Sequence, residues 1–132
     1  MERFRATVRR DHCVLRPFRI DLGFWLDQLG IEAEARDAIV LATHEAVANG
    51  MEHAVRGLVR VTGCVENAVI CLEVSSLGPW ADQIHALERG RGLALMRGLM
   101  SDVSVSGDSQ HVTVRLRLQA EPRACSARQS RT

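Results

Sequence analysis

A chain of 132 residues with 46% hydrophobic and 25% charged side chains has apolar material for one modest core and too little length for two. Seventeen basic residues stand against sixteen acidic ones, so a net charge of +1 gives no whole-chain attraction for nucleic acid. Every one of those basic residues is arginine. Without lysine there is no P-loop lysine, no Schiff base and no kinase strand lysine, and any phosphate chemistry must rest on other groups. Met1 to Arg10 is too charged for a signal peptide, and no apolar run reaches the roughly 20 residues of a membrane span. The expectation is a cytoplasmic protein with no membrane partner and no direct contact with nucleic acid.

Arg3 to Arg9 alternates as a short strand does, and Asp11 can cap the helix after it. Val14, Phe18, Leu22, Trp25, Leu26 and Leu29 fall on one face of that helix, with Pro17 near its start, where a ring is tolerated. Gly30 ends it. Glu32 to Val55 is predicted as a long second helix, stopped by Gly57. From Leu58 to Ser75 the period becomes two, giving a pair of strands with a tight turn at Glu66-Asn67. Val59, Val61, Gly63, Val65, Ala68, Ile70, Leu72 and Val74 form the apolar set, while Arg60, Thr62, Cys64, Cys71, Glu73 and Ser75 form the polar one. Ser76 has the parity of the inner face.

Leu77 to Arg89, which contains Gly78-Pro79-Trp80, has too few apolar repeats for a long element and reads as a loop that moves. Gly90-Arg91-Gly92 then opens a third helix, Leu93 to Met100, and Val103 to Val105 with Val112 to Leu118 makes a closing hairpin. Residues 119–132 read as a disordered basic tail carrying Arg123, Arg128 and Arg131. This order of elements gives an α+β layer architecture over residues 1–118 with a mostly antiparallel sheet. Cys13, Cys64, Cys71 and Cys125 lack CxxC spacing and are expected as small buried or half-buried hydrophobes, in neither a disulfide nor a metal site.

The chemistry concentrates in His44-Glu45-Ala46-Val47-Ala48-Asn49-Gly50-Met51-Glu52-His53. Steps of four put Glu45, Asn49 and His53 on one helical face within an otherwise apolar run. An amphipathic helix often carries a polar stripe simply to meet water. This stripe lacks the Glu/Lys/Arg mixture of a solvated face and is flanked by Ala and Gly, which leaves room for a ligand. The His44-Glu45 pair is not a zinc-protease motif, because the second histidine would stand at position 48, which is Ala. Gly90-Arg91-Gly92 before a helix offers backbone N–H groups to an anion. It is not a dinucleotide fingerprint, since position 95 is Leu.

Together, EAVANGMEH with Glu45 and Asn49, and RGRGLALMRGLMSDV from Arg89, resemble the N-box and last glycine box of the GHKL ATPase superfamily, in particular its anti-sigma-factor serine kinases. The resemblance covers residues 1–118. It implies a Bergerat-type two-layer α/β sandwich, a mostly antiparallel mixed sheet with three helices on one face, and an ATP site between the long helix, the sheet and a lid. Glu45 would be the general base, Asn49 would hold Mg²⁺, and His53 would line the phosphate side. Gly90, Arg91, Gly92 and Leu93 would close over the phosphates, with Leu77 to Arg89 as the lid. The implied partners are a sigma factor and an anti-sigma-factor antagonist whose serine receives the phosphoryl group.

The family's middle box reads Asp-x-Gly, and here Ser76-Leu77-Gly78 stands in its place. A hydroxyl for the adenine-binding carboxylate removes a charge-assisted bond of roughly 1.5 to 3 kcal/mol, about ten- to a hundredfold in affinity. Thr113, or Val112 in the neighbouring register, falls at the adenine side. The alternative function is a non-catalytic switch that keeps the fold and regulates a partner by binding alone. An exposed first strand and first helix point to homodimerisation through that edge.

Overall fold

The structure, a computed structural model, describes residues 3–78 and 80–120. Elements follow in the order β1 (Arg3–Val8), α1 (Leu15–Gln28), α2 (Ala33–His53), β2 (Val59–Glu66), β3 (Val69–Leu77), α3 (Trp80–Arg89), α4 (Gly92–Leu99), β4 (Asp102–Gly107) and β5 (His111–Gln119). The sheet order is β1-β2-β3-β5-β4, with every pairing antiparallel. The α+β sandwich is as expected, but the described sheet has no parallel pair and a fourth helix, α3, is present. The expected tail, Cys125 included, lies outside the described residues apart from Gln119, which ends β5, and Ala120.

Alternation along the strands becomes a set of rows once the strands pair. Phe4, Gly63, Leu72, Leu116 and Val103 form one inner row, and Ala6, Val61, Val74, Val114 and Val105 form the next. The third row is Val8, Val59, Ser76, Val112 and Gly107. The outer face carries Arg5, Thr62, Glu73, Arg115 and Ser104 in register, with Arg115 Nε donating to Glu73 Oε2 at 2.9 Å. Period-two patterning therefore separates core from solvent across the whole sheet.

Helix α1 buries Phe18, Leu22, Trp25 and Leu26, the i, i+4, i+7, i+8 stripe its sequence shows. Phe4 of β1 meets Phe18 edge-on with ring centroids 6.0 Å apart and lies 5.6 Å from the Trp25 ring, which fixes α1 against the sheet edge. Asp11 does cap, although its Oδ1 accepts from the Cys13 N–H at 3.0 Å, in a 3-10 turn (His12–Val14) that precedes α1. Gly30 follows α1 with φ of 76°, a left-handed C-terminal stop.

Helix α2 ends two residues earlier than its pattern suggested, and Arg10 takes part in the stop. Arg10 Nε donates to Met51 O at 2.7 Å and its NH2 donates to Ala54 O at 2.9 Å, filling carbonyls that the last turn leaves open. The β2–β3 turn sits one residue later than expected, at Asn67-Ala68, with both residues at positive φ (52° and 63°), the twist a two-residue hairpin demands. Cys64 and Cys71 are half-buried register partners on the outer face, as free thiols. Cys13 is exposed rather than buried.

The segment expected to be irregular, Leu77 to Arg89, is mostly helix α3. Ile84 and Leu87 turn inward, and the helix closes over the end of α2. Ile84 and Leu87 stand among Gln83, His85 and Ala86, and the Gly78-Pro79 turn signal just before them hides the start of the helix along the chain.

Candidate functional site

A cavity of about 440 Å³ opens between the C-terminal half of α2, the end of α3 and the start of α4. That volume falls in the range of small-molecule sites. Glu45, Ala48, Asn49, Met51 and Glu52 of α2 line it, with Arg10, Leu15, Ala86, Leu87 and Gly92. The opposite face of α2 buries Ile39, Ala42, Ala46 and Val47, so packing fixes the rotation that sends Glu45 and Asn49 into the cavity. Both are half-buried.

Gly92 faces Glu45 directly, since a Cβ added there would lie 3.7 Å from Glu45 Oε1. The first intrahelical bond of α4 runs from the Leu95 N–H to Arg91 O at 2.9 Å. The N–H groups of Gly92 and Leu93 precede it and have no carbonyl inside the helix to meet. A carboxylate, a carboxamide and the positive end of a helix thus converge on one space, which suits a ligand carrying both phosphate and a hard cation. Among the described residues no cluster of three or more His, Cys, Asp or Glu could hold a metal ion. The side-chain oxygen donors among the residues lining this cavity are the carboxylates of Glu45 and Glu52 and the amide of Asn49.

The other expected site residues are placed as follows. His53 does not line the cavity; its Nε2 lies 3.1 Å from Oε1 of the neighbouring Glu52. Gly90 has its N–H donated to Ala86 O at 3.1 Å, in the last turn of α3, so this group is not turned to an anion. Leu93 buries its side chain in the core and can contribute only backbone. Arg91 is exposed. Thr113 is a correction: register pairs it with Ser75 on the outer face, where the two hydroxyls lie 3.2 Å apart, and Val112 takes the inner position beside Ser76. Parity along β5 agrees, because Val112, Val114, Leu116 and Leu118 mark its inner face and Thr113 alternates with them beside Arg115 and Arg117.

Ser76 and Gly78 lie at a second place, against α3. Ser76 is buried, and its hydroxyl donates to Gln83 Oε1 at 2.9 Å. Gly78 adopts φ of 146°, a region closed to residues with a side chain, and its N–H donates to Gln110 O at 2.7 Å. Gln83 and Arg10 both escaped sequence reasoning. Arg10 follows a charged strand like any solvated arginine, and Gln83 is one polar residue in a segment read as loop, so neither leaves a mark along the chain.

Beside the cavity, His44 Nδ1 accepts from Arg19 NH1 at 3.2 Å. Burial and then the Arg19 charge hold its imidazole below the ordinary value of 6.5, against an opposing pull from Glu45. Arginine can only donate, so the proton of the neutral ring sits on Nε2.

No curated protein matches the sequence. The fold is similar to that in the crystal structure of the RsbU and RsbW domains of Rv1364c from Mycobacterium tuberculosis, with a TM-score of 0.76 and 22% identity. The similarity covers 91% of this chain and 33% of that one, so the chain spans about a third of its structural relative. The family model for the histidine kinase-like ATPase domain matches residues 11–118, which include α2, both strands of the Ser76 hairpin and the α4 N-terminus. The chain belongs to the histidine kinase-like ATPase domain family.

Proposed function

We propose that this protein is an ATP-binding regulator of the anti-sigma-factor serine kinase type, acting in the cytoplasm. It would bind a sigma factor and transfer a phosphoryl group to a serine of an antagonist protein. The observation that carries the reading is the convergence of Glu45, Asn49 and the Gly92 end of α4 on one cavity. Asn49 would hold Mg²⁺ through its amide oxygen, and the metal would supply charge neutralisation of the phosphates. Glu45 would accept the proton of the attacking serine hydroxyl, and the N–H groups of Gly92 and Leu93 would meet phosphate oxygens where a lysine is absent. Arg10, bound to the carbonyls that end α2, adds positive potential at the cavity wall.

Titration calorimetry with Mg-ATP tests the binding half of this proposal. Weak binding that tightens about ten- to a hundredfold in Ser76→Asp supports it. No heat from either protein at millimolar nucleotide would sink it. Ser76 also favours a second reading, a binding-only switch, because the hydroxyl replacing the family carboxylate is engaged by Gln83. Phosphoserine appearing on a purified antagonist excludes the switch; partner regulation that survives Glu45→Ala, without phosphoserine, establishes it.

A further inference from the structure

The base end of the site carries a polar contact that the proposed chemistry does not use. Gln83 is 1% exposed and Ser76 7% exposed, so their 2.9 Å hydrogen bond is shut away from water. Gln83 Nε2 is buried as well and has no partner among the described residues. A Cβ at Gly78 would lie 2.8 Å from that nitrogen, so the glycine leaves the space the amide fills. One turn further along the same helix, Ala86 and Leu87 form a wall of the Glu45–Asn49 cavity.

We infer that Gln83 is an internal latch, which fastens α3 through Ser76 and stands where a bound base would meet that hydroxyl. The inference rests on the nucleotide reading of the site for the identity of the competitor, although the fastening itself does not. Three physical points carry it. The Ser76 hydroxyl hydrogen is committed to a protein carbonyl, so a base approaching Ser76 must first displace Gln83. The orphaned Nε2 makes the latched state less than fully satisfied, so it can be exchanged for a ligand that pairs both groups. And α3 links the two ends, because releasing Gln83 frees a helix whose next turn walls the cavity beside Glu45.

Amide hydrogen exchange of residues 83–89 in the full chain, without nucleotide, tests the fastening in wild type, Ser76→Ala and Gln83→Met. The methionine keeps the volume and removes the hydrogen bond, and exchange in β2 and β3 reports whether each variant is folded. Exchange in α3 roughly two- to tenfold faster in both folded variants supports the latch, and unchanged exchange in both overturns it. Mg-ATP titration then tests the competition. Affinity higher by a similar factor in Gln83→Met supports it, whereas lower affinity overturns it and makes Gln83 a ligand contact. Faster exchange with no nucleotide bound by any protein supports the fastening while overturning the nucleotide reading, so the two failures are distinguishable.

Discussion

Glu45 and Asn49 project from the C-terminal half of a 21-residue helix whose other face is sealed into the core and whose last carbonyls are held by Arg10. Ser76 is held just as firmly by its strand row, but its partner Gln83 rides on a ten-residue helix between Gly78 and Gly90. The Glu45–Asn49 cavity therefore stands on a long helix sealed into the core, whereas Ser76 meets a short one that packs through Ile84 and Leu87. The contrast suits phosphoryl transfer, in which charge-handling groups gain from being preorganised while a cover has to move. On the proposed function it also separates two properties that family membership would otherwise merge: handling phosphate and holding a base.

The sharpest break would come from Glu45→Gln, expected to lower phosphotransfer to an antagonist by about 10² to 10⁴ while Mg-ATP still binds. Equal loss of binding and transfer would show that the carboxylate acts in the ground state and that the two ends are not separable. Next is the scaffold: Ile39→Ala, in the fully buried face of α2, should cost about 2 to 5 kcal/mol in urea unfolding. A cost below about 1 kcal/mol would mean that α2 is not the rigid partner in the comparison. For the other end, the gain in affinity from Ser76→Asp should be larger in a Gln83→Met background, because the two side chains touch and their effects do not add. Strict additivity in a double-mutant cycle would separate Gln83 from the base end.

Smaller effects calibrate the frame around the site. Ala68→Gly relieves a left-handed alanine in the β2–β3 turn and should stabilise by about 0.5 to 1 kcal/mol, read as a raised Tm. The last is a slope. His44 is held neutral in the fold, so its contribution is complete above pH 6.5 and is lost as pH falls through its lowered native value. Tm against pH should fall less steeply below 6.5 in His44→Gln than in wild type.

What could be read along the chain follows from periodicity. Glu45 and Asn49 were legible because a step of four is a property of one helix, and the inner face of β2 and β3 because a step of two is a property of one strand. The expectation for Thr113 followed the resemblance and ran against the parity of β5, in which Val112, Val114 and Leu116 mark the inner face and pairing sets Thr113 opposite Ser75. Asn67-Ala68 escaped by one residue because alanine is not a turn former, and register with β3 imposes the positive φ there. Helix α3 and Gln83 were hidden for a related reason: the burial of Gln83 depends on Ser76 and Gly78 arriving from another element.

Ser75 and Ser76 are the same residue side by side, yet the antiparallel rows send the first to Thr113 on the open face and the second to Gln83 in the interior. Tolerance to substitution should accordingly beat with a two-residue rhythm along Val69–Leu77. At position 75 a large or charged side chain has solvent to enter. At position 76 a side chain much larger than serine would have to enter the buried space between Gln83 and Gly50. Two neighbouring serines thus carry opposite mutational loads, and a saturation library across this strand would display which of its residues face the interior.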